Sequence, residues 1–389
     1  MTTRWHHSIA EIPETAWNTL AQHLPTGVMS HQWLRYLEDS GTVSPSRGWT
    51  ARHLSLWDGD TLIGAMPLYL RDESWGEFVF DFAFADAAAQ LSLPYYPKLV
   101  GMSPVTPSTA YAPLVAPQHQ AEELIAVMMA AIAELCDQEG IGTVQFNYLL
   151  PSFRALFERY GFTAWEHQSY RWEGAGYATF ADYLAHFRKG QRRNIRRERA
   201  SMADQGLVTR IIPGIEAADI VLQRMEEFYR RTNRQFGPWG AEFLAEDFFL
   251  HLPEPVRRQI IFSAAFSQED PEDPLALAML VTGRTTLLGR YWGTRVDAAN
   301  LHFELCYYLP MEWAISQGIT YFDPGMGSEH KIRRGFLSVP AVSMHRSLDP
   351  TMDAIFRYNL PRANHGERER IQLMNEAVPF RARRSLDPS

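Results

Sequence analysis

The sequence predicts an α/β protein with mixed sheets, folded as two successive domains. Three observations carry this. The chain has 389 residues, and a single hydrophobic core rarely serves more than about 250–300. Strands and helices alternate within each half, the pattern of α/β proteins. The halves also share an order: a strand pair leads to a helix that ends in glycine, and then to an apolar strand. "AELCDQEGIGTVQFNYL" beside "MEWAISQGITYFDPGMG" shows the parallel. The expected domains are residues 1–168 and 169–389, with a basic helix over 180–205 near the start of the second.

The first helix reads from "SHQWLRYLEDSG", with Ser30 as N-cap and Gly41 as the stop. "ARHLSLWDGDTLIGAMPLYL" reads as two strands turning at Asp58-Gly59-Asp60. From Pro94 to Pro117, repeated prolines exclude a helix and predict a long loop with short extended pieces. A helix over "AEELIAVMMAAIAELCDQEG" and the strand "GTVQFNYLL" complete this half. In the second half, "PLALAMLVTGRTTLLGRYWG" gives two strands around Gly283, "LHFELCYYLPMEWAISQG" a helix stopped at Gly318, and "ITYFDPG" a strand. Between the halves, "FADYLAHFRKGQRRNIRRERASMADQG" reads as one helix ended by Gly206. At about 100° per residue, its Leu184, Phe187, Ile195 and Met202 form a core stripe. Arg188, Arg192, Arg196 and Arg199 run beside that stripe, with Lys189, Arg193 and Arg197 next to them. Gly190 within this helix is read as a place of close backbone approach.

Composition narrows the function. A hydrophobic share of 46% with 13% aromatics belongs to a packed globular chain, which excludes a disordered one. The two cysteines, Cys136 and Cys306, read as buried free thiols in a reducing compartment. No signal-peptide pattern opens the chain, and the apolar run "LIAVMMAAIAELC" falls short of the roughly 20 residues a membrane span needs. The expectation is a soluble cytoplasmic protein. A net charge of -8 argues against a DNA-coating role, so any anion site has to be local.

The basic segment is the first candidate, because guanidinium forks bind phosphate in bidentate fashion. A solvated face paired with acids elsewhere is the competing reading. The second candidate is "LLGRYWGTRVDAANLHFELCYY", where Arg290 and Arg295 flank a helix start near Asn300. There Glu304 and Tyr308 share a face at i, i+4. A buried Glu304 is a general-base candidate, and a structural acid holding a neighbouring Arg is the alternative. The third is "YFDPGMGSEHKIRRGF": Asp323 ends a strand, and His330, Lys331, Arg333 and Arg334 follow. No nucleophile elbow, zinc helix, Walker loop or CxxC pair occurs, and no metal site is expected.

These segments together, "YRWEGAGYATFADYLAHFRKGQRRNIRRER", "GRYWG", "LHFELCYY" and "GSEHKIRRGF", resemble the Fem-like, GNAT-type family of peptidoglycan biosynthesis or recognition proteins. "SWGEFVFDFAFADA" and "YYPKLV" in the first half agree, and the resemblance covers roughly Ser30 to Pro350. It implies two tandem GNAT-like (acyl-CoA N-acyltransferase) domains. It also implies kinship with ligases that move an amino acid from aminoacyl-tRNA to an amine of a peptidoglycan precursor. "EFYRRTNRQFG" is similar to the family helix whose Thr-x-Arg points an Arg at substrate phosphate, here Thr232 and Arg234. "DPGMGSEHK" departs from the Glu-Ala-Gly-Ala-Gln-Gly that usually precedes Glu-His-Lys, and the pyrophosphate loop of ordinary acetyltransferases is absent.

Spacing and resemblance together give an acyl or aminoacyl transferase acting on an amine, without a firmly implied cofactor. Aminoacyl-tRNA or acyl-CoA would be the donor, and a small-molecule or peptide amine the acceptor. Glu304 or Asp323 would take the proton, with Tyr291 or Tyr308 assisting, while Lys331 and His330 stabilise the oxyanion. Arg192, Arg193, Arg196, Arg197, Arg234 and Arg290 would grip phosphate, and Trp292, His302 and Tyr308 would line the substrate site. The competing functions are an acyl-CoA-dependent N-acyltransferase, and a non-catalytic binder of tRNA or of a nucleotide-linked cell-wall precursor.

Overall fold

The computed structural model describes residues 1–174, 176–235, 242–327 and 329–381. Ala175, Ser328 and the final Phe-Gly of "EFYRRTNRQFG" lie outside them. The chain divides into two compact units. One comprises Met1–Gln168, Phe243–Glu246 and Pro340–Glu369; the other comprises Ser169–Glu242, Asp247–Val339 and Arg370–Ser389. The main crossing thus falls at 168/169, but residues 340–369, expected in the second domain, pack in the first unit.

The first unit carries β1 (Thr2–His6), β2 (Thr50–Ala51), β3 (His53–Asp58), β4 (Thr61–Met66), β5 (Leu68–Arg71), β6 (Lys98–Gly101), β7 (Leu114–Val115) and β8 (Thr143–Leu149). Strands β1, β3, β4 and β7 form an antiparallel sheet in the order β1-β3-β4-β7. The hairpin between β3 and β4 turns at Gly59, whose φ of 56° suits glycine. The second strand read from sequence splits at Pro67, which has no N–H to give to a ladder; β4 and β5 therefore join different sheets. Ser30 caps the helix His31–Asp39 by accepting from the Trp33 N–H at 3.3 Å, and Gly41 follows it at φ 74°. The Pro-rich stretch holds only the short strands β6 and β7.

The remaining strands are β9 (Thr163–Glu173), β10 (Leu207–Pro213), β11 (Ile260–Ser267), β12 (Ala276–Thr282), β13 (Thr286–Thr294), β14 (Tyr321–Asp323) and β15 (Leu337–Ser347). In the second unit the order is β10-β11-β12-β13-β14-β9, with β13 and β14 parallel and the other pairs antiparallel. In the first unit the larger sheet runs β15-β8-β6-β5-β2, where only β6 and β8 are parallel. Both sheets are mixed, as expected. Helices that escaped the sequence reading include Glu14–Ala21, Phe82–Leu91, Arg154–Arg159 and the 27-residue Pro350–Glu376.

The basic segment differs from its expected form in two respects. It is two helices, Phe180–Ala185 and Lys189–Asp204, broken where Arg188 takes ψ 147°. Thr179 and Asp182 close a capping box on the first. The core stripe holds across the break: Leu184, Phe187, Ile195 and Met202 are all buried, alongside Trp172, Tyr183, Leu305, Met311 and Phe336. Gly190 has open space where a Cβ would stand, so it marks helix start rather than close approach. Close approach occurs instead at Gly293, where a Cβ would lie 2.5 Å from the Phe228 carbonyl oxygen. Gly293→Ala should therefore force β13 away from the helix Asp219–Gln235, costing about 1–3 kcal/mol. Urea unfolding should show this as a lower midpoint with an unchanged slope.

Candidate active site in the second unit

The helix Lys189–Asp204 sorts its charges by face. Lys189, Arg193, Arg196 and Arg197 are exposed and Arg192 is half-buried; none makes an ion pair among the described residues. Arg197 does hydrogen-bond Asn194 Oδ1 at 2.7 Å. The inward face carries Glu198, three residues after Ile195 and four before Met202. Its carboxylate accepts from Arg334 Nη2 at 3.0 Å, from Asn194 Nδ2 at 2.7 Å and from the Tyr308 hydroxyl. Next to it, Arg199 grips Glu304 with Nε at 3.1 Å and Nη2 at 2.9 Å, and reaches Glu312 at 2.7 Å. The Phe180 ring lies 4.7 Å under its guanidinium.

Glu304 and Tyr308 belong to a π-helical turn, Glu304–Tyr308, set between the α-helical turns Leu301–Phe303 and Leu309–Ser316. Such turns are uncommon and concentrate at functional sites. Glu304 is 2% exposed, and burial raises its pKa against the opposing charge of Arg199. The bidentate pair engages both carboxylate oxygens.

Lys331 stands on the 3-10 turn Glu329–Arg334 and is 3% exposed. Its ammonium donates to the Met326 carbonyl at 3.1 Å and lies 5.0 Å from the Tyr170 ring and 6.0 Å from the Tyr307 ring. An ammonium has three donors, and Met326 takes one. Burial lowers the Lys331 pKa to about 8, with Asp323 and then Cys306 resisting the shift. Asp323 itself accepts from the Gly325 N–H at 2.8 Å. Burial together with the charges of Lys331, Arg334 and His330 brings His302 to about 4, so its ring is neutral. Burial also raises the Tyr307, Tyr308 and Cys306 pKa values, keeping these groups protonated.

Of the residues expected from sequence, His302, Lys331 and Asp323 thus share one field, while Glu304 and Tyr308 stand on the π turn bonded to Arg199 and Glu198 of the basic helix. Trp292 joins them, its ring 5.1 Å from His302, and His330 meets Phe303 at 5.9 Å. Tyr291 packs instead edge-on to Tyr229 and Phe249, with Arg290 5.1 Å above its ring. Arg295 is engaged by Asp273 at 2.9 Å. Arg234 is 78% exposed and borders a cavity of about 640 Å³ with Glu227, Arg230, Arg231 and Gln235. Thr232 stands on the same helix, Asp219–Gln235. Sequence reasoning missed Glu198, Tyr170 and Tyr307, and it placed Arg334 in a cationic cluster without its partner Glu198. Glu198 was the legible one, a single acid standing on the core stripe of a basic helix. Among the described residues no group of three His, Cys, Asp or Glu side chains is placed to hold a metal ion. Nor is any helix long and apolar enough to cross a membrane.

The family of FemAB-like proteins, described as peptidoglycan biosynthesis/recognition, matches residues 8–382. The chain belongs to this family. Its fold is shared with solved structures at low identity. FemX matches with a TM-score of 0.56 and 11% identity, over 91% of this chain and 99% of that one. The C-terminal domain of a putative lysylphosphatidylglycerol synthetase from Agrobacterium fabrum matches with a TM-score of 0.54 and 11% identity, covering 90% and 95%. A conserved protein of unknown function from Bacteroides thetaiotaomicron matches with a TM-score of 0.53 and 10% identity, covering 90% and 100%. No curated protein matches the chain. The α/β class with mixed sheets, expected from the sequence, is therefore the fold of a FemAB-like protein.

Removing Arg199 from this FemAB-like chain would strand a buried carboxylate. Arg199→Met should cost about 3–5 kcal/mol at neutral pH. With its partner gone, Glu304 would have a folded pKa further above its unfolded value, so the variant's stability should be fullest at acid pH and fall as pH rises. Adding Glu304→Gln should recover most of the loss, measured by thermal unfolding at several pH values.

Proposed function

We propose that the second unit catalyses transfer of an aminoacyl group from aminoacyl-tRNA to an amine acceptor related to peptidoglycan. The observation that carries this is Lys331. It is a buried ammonium with one protein carbonyl as its hydrogen-bond partner among the described residues, leaving two donors for a substrate oxygen. The unpaired cations of Lys189–Asp204 stand on a helix joined to the Lys331 turn: Gln191 Nε2 donates to the Arg333 carbonyl at 2.8 Å, and Glu198 pairs with Arg334. A polyphosphate donor suits such a surface, whose charge sits locally in an acidic chain. Family membership and the fold shared with FemX support the choice of donor and acceptor.

In this reading the amine attacks the acyl carbonyl of the ester, and the developing oxyanion meets the Lys331 ammonium. The carbon–oxygen bond to the donor then breaks, and the amine's proton passes by way of Asp323 to the departing tRNA oxygen, which leaves as a hydroxyl. Glu304 has another duty: clamped by Arg199, it fixes the π turn that presents Tyr307 to the Lys331 ammonium. His302, neutral, and Trp292 line the substrate side. The engagement of both Glu198 and Glu304 by arginines favours a second reading, recognition of the same ligands without turnover.

Incubating the purified chain with charged tRNA, acetyl-CoA and amine acceptors separates these. Transfer from charged tRNA is expected; transfer from acetyl-CoA alone rejects this donor, and tight tRNA binding without transfer selects recognition. Where Lys331 acts as a cation, kcat should decline as pH rises through about 8 and the side chain loses its proton. Lys331→Met should lower kcat about 10²-fold, and Lys331→Arg should remove the alkaline limb. Replacing Arg192, Arg193 and Arg196 by Glu together should raise the KM for tRNA and flatten its salt dependence, with kcat nearly unchanged.

A further inference from the structure

Residues 375–381, where the long helix Pro350–Glu376 ends, belong to the second unit and have no task in the reaction above. They lie along the break between the two basic helices. The Arg188 N–H donates to the Pro379 carbonyl at 2.9 Å, and the Arg381 N–H to the His186 carbonyl at 2.8 Å, which makes Phe187 and Phe380 an antiparallel bridge. Arg381 Nε adds a bond to the Phe187 carbonyl at 3.2 Å. The Phe380 ring itself meets the Phe187 ring at 4.9 Å.

The other neighbour of Phe380 is Gly335, which ends the Lys331 turn at φ 82°. A Cβ there would collide with the Tyr183 hydroxyl and stand 2.7 Å from the Phe187 ring and 3.0 Å from the Phe380 ring. The backbone thus leaves the turn through a slot walled by three rings. Tyr183 also donates to the Arg334 carbonyl at 2.6 Å. Three residues on, Asn375 holds both backbone groups of Ser338: Oδ1 accepts from its N–H at 2.7 Å, and Nδ2 donates to its carbonyl at 2.8 Å. Phe336, between these two anchors, is fully buried. It gives its N–H to the Lys331 carbonyl at 3.2 Å, and its ring packs on Tyr307 at 5.3 Å and on Phe322 at 5.5 Å.

The turn needs such support. A 3-10 segment of six residues is longer than these helices usually run, because their hydrogen bonds are poorly aligned. Upstream, Gly325 and Gly327 take φ of 80° and 127°, and glycine lends the backbone little stiffness of its own. The pair of Arg334 with Glu198 fixes a side chain of the turn. Its backbone exit is fixed by Tyr183, Phe187, Asn375 and Phe380.

We propose that Phe380 is a positioning residue for Lys331, closing the slot around Gly335 and so holding the ammonium in its dry seat. This rests on the catalytic reading of Lys331 given above. Facing the ammonium from other elements are Asp323 at the end of β14, Tyr170 on β9, and Cys306 and Tyr307 on the π turn. Asp323 and Cys306 favour its charged form and burial opposes it, burial being the larger effect. Loosening the turn admits water, so the Lys331 pKa should rise towards that of an ordinary lysine.

The test is an NMR titration of Lys331 through its Hε–Cε resonances in the full chain, beside the pH dependence of transfer. The unaltered side chain should lose its proton near pH 8. In Phe380→Ala it should do so about one pH unit higher, and the alkaline limb of kcat should move with it. Below that limb kcat should fall about tenfold with KM nearly unchanged, because a displaced Lys331 is missed only in the transition state. Phe380→Leu keeps an apolar side chain in the slot and should titrate close to the unaltered chain. Asn375→Ala loosens the same stretch through a different contact and should shift Lys331 the same way, which decides the matter where Phe380→Ala fails to fold. Leu373→Ala, at a site 67% exposed on the same helix, should change neither measurement. The titration needs no turnover, so it decides the positioning role even in a chain that transfers nothing. A folded Phe380→Ala or Asn375→Ala chain whose Lys331 titrates as before, or an equal shift in Leu373→Ala, would overturn the proposal.

Discussion

The Glu198 carboxylate ties together three segments distant in sequence: the basic helix that carries it, the π turn through Tyr308, and the Lys331 turn through Arg334. It accepts from a guanidinium, a phenol and an amide, so its charge is fully met away from water. The consequence is positional. With its inward face committed to Glu198 and Ile195, the helix has to turn Arg193, Arg196 and Arg197 outward. Lys331 inherits its burial from the same tie, because the turn that carries it is anchored at Arg334.

Electrostatics then divides the cations of this unit into two kinds. Arg199 and Arg334 are spent on buried acids, and they hold the site's frame. The outward arginines make no ion pair among the described residues, and Lys331 makes none either although the charge of Asp323 acts on it, which leaves them open to an anionic group from elsewhere. That separation explains how a chain of net charge -8 concentrates positive potential in one place. Charge count along the sequence therefore says less than the pairing of each side chain.

Much of the fold was legible because its signals are local. The Ser30 cap, the Gly59 turn and the stripe from Leu184 to Met202 each depend on residues a few positions apart. Pro67 was equally local, but its effect depends on which sheet each half-strand joins, which only tertiary pairing decides. The helix Pro350–Glu376 was missed although Met352, Phe356 and Leu360 form a buried stripe, because Pro361 reads as a break and the polar Asn364 continues that face. At the site, Glu304, Tyr308 and Lys331 could be found from motif spacing. A structural acid holding an Arg was one of the two readings of Glu304, but its partner could not be named, since Arg199 stands 105 residues earlier. Tyr170 and Tyr307 meet the Lys331 ammonium from β9 and from the π turn, and no spacing rule joins those elements.

The return of residues 340–369 to the first unit bears on how this protein is made. β8 pairs with β15, from Leu149 opposite Val342 to Thr143 opposite Ser347. Glu166 is bonded by Asn364 and Arg368. A ribosome that has finished residue 168 has thus released a sheet lacking its neighbour strand and a buried acid that has Arg154 but lacks its second arginine, Arg368. The first unit can close only after nearly all of the second has been synthesised. Vectorial, domain-by-domain folding is thereby denied to a chain whose sequence looks like two domains in tandem.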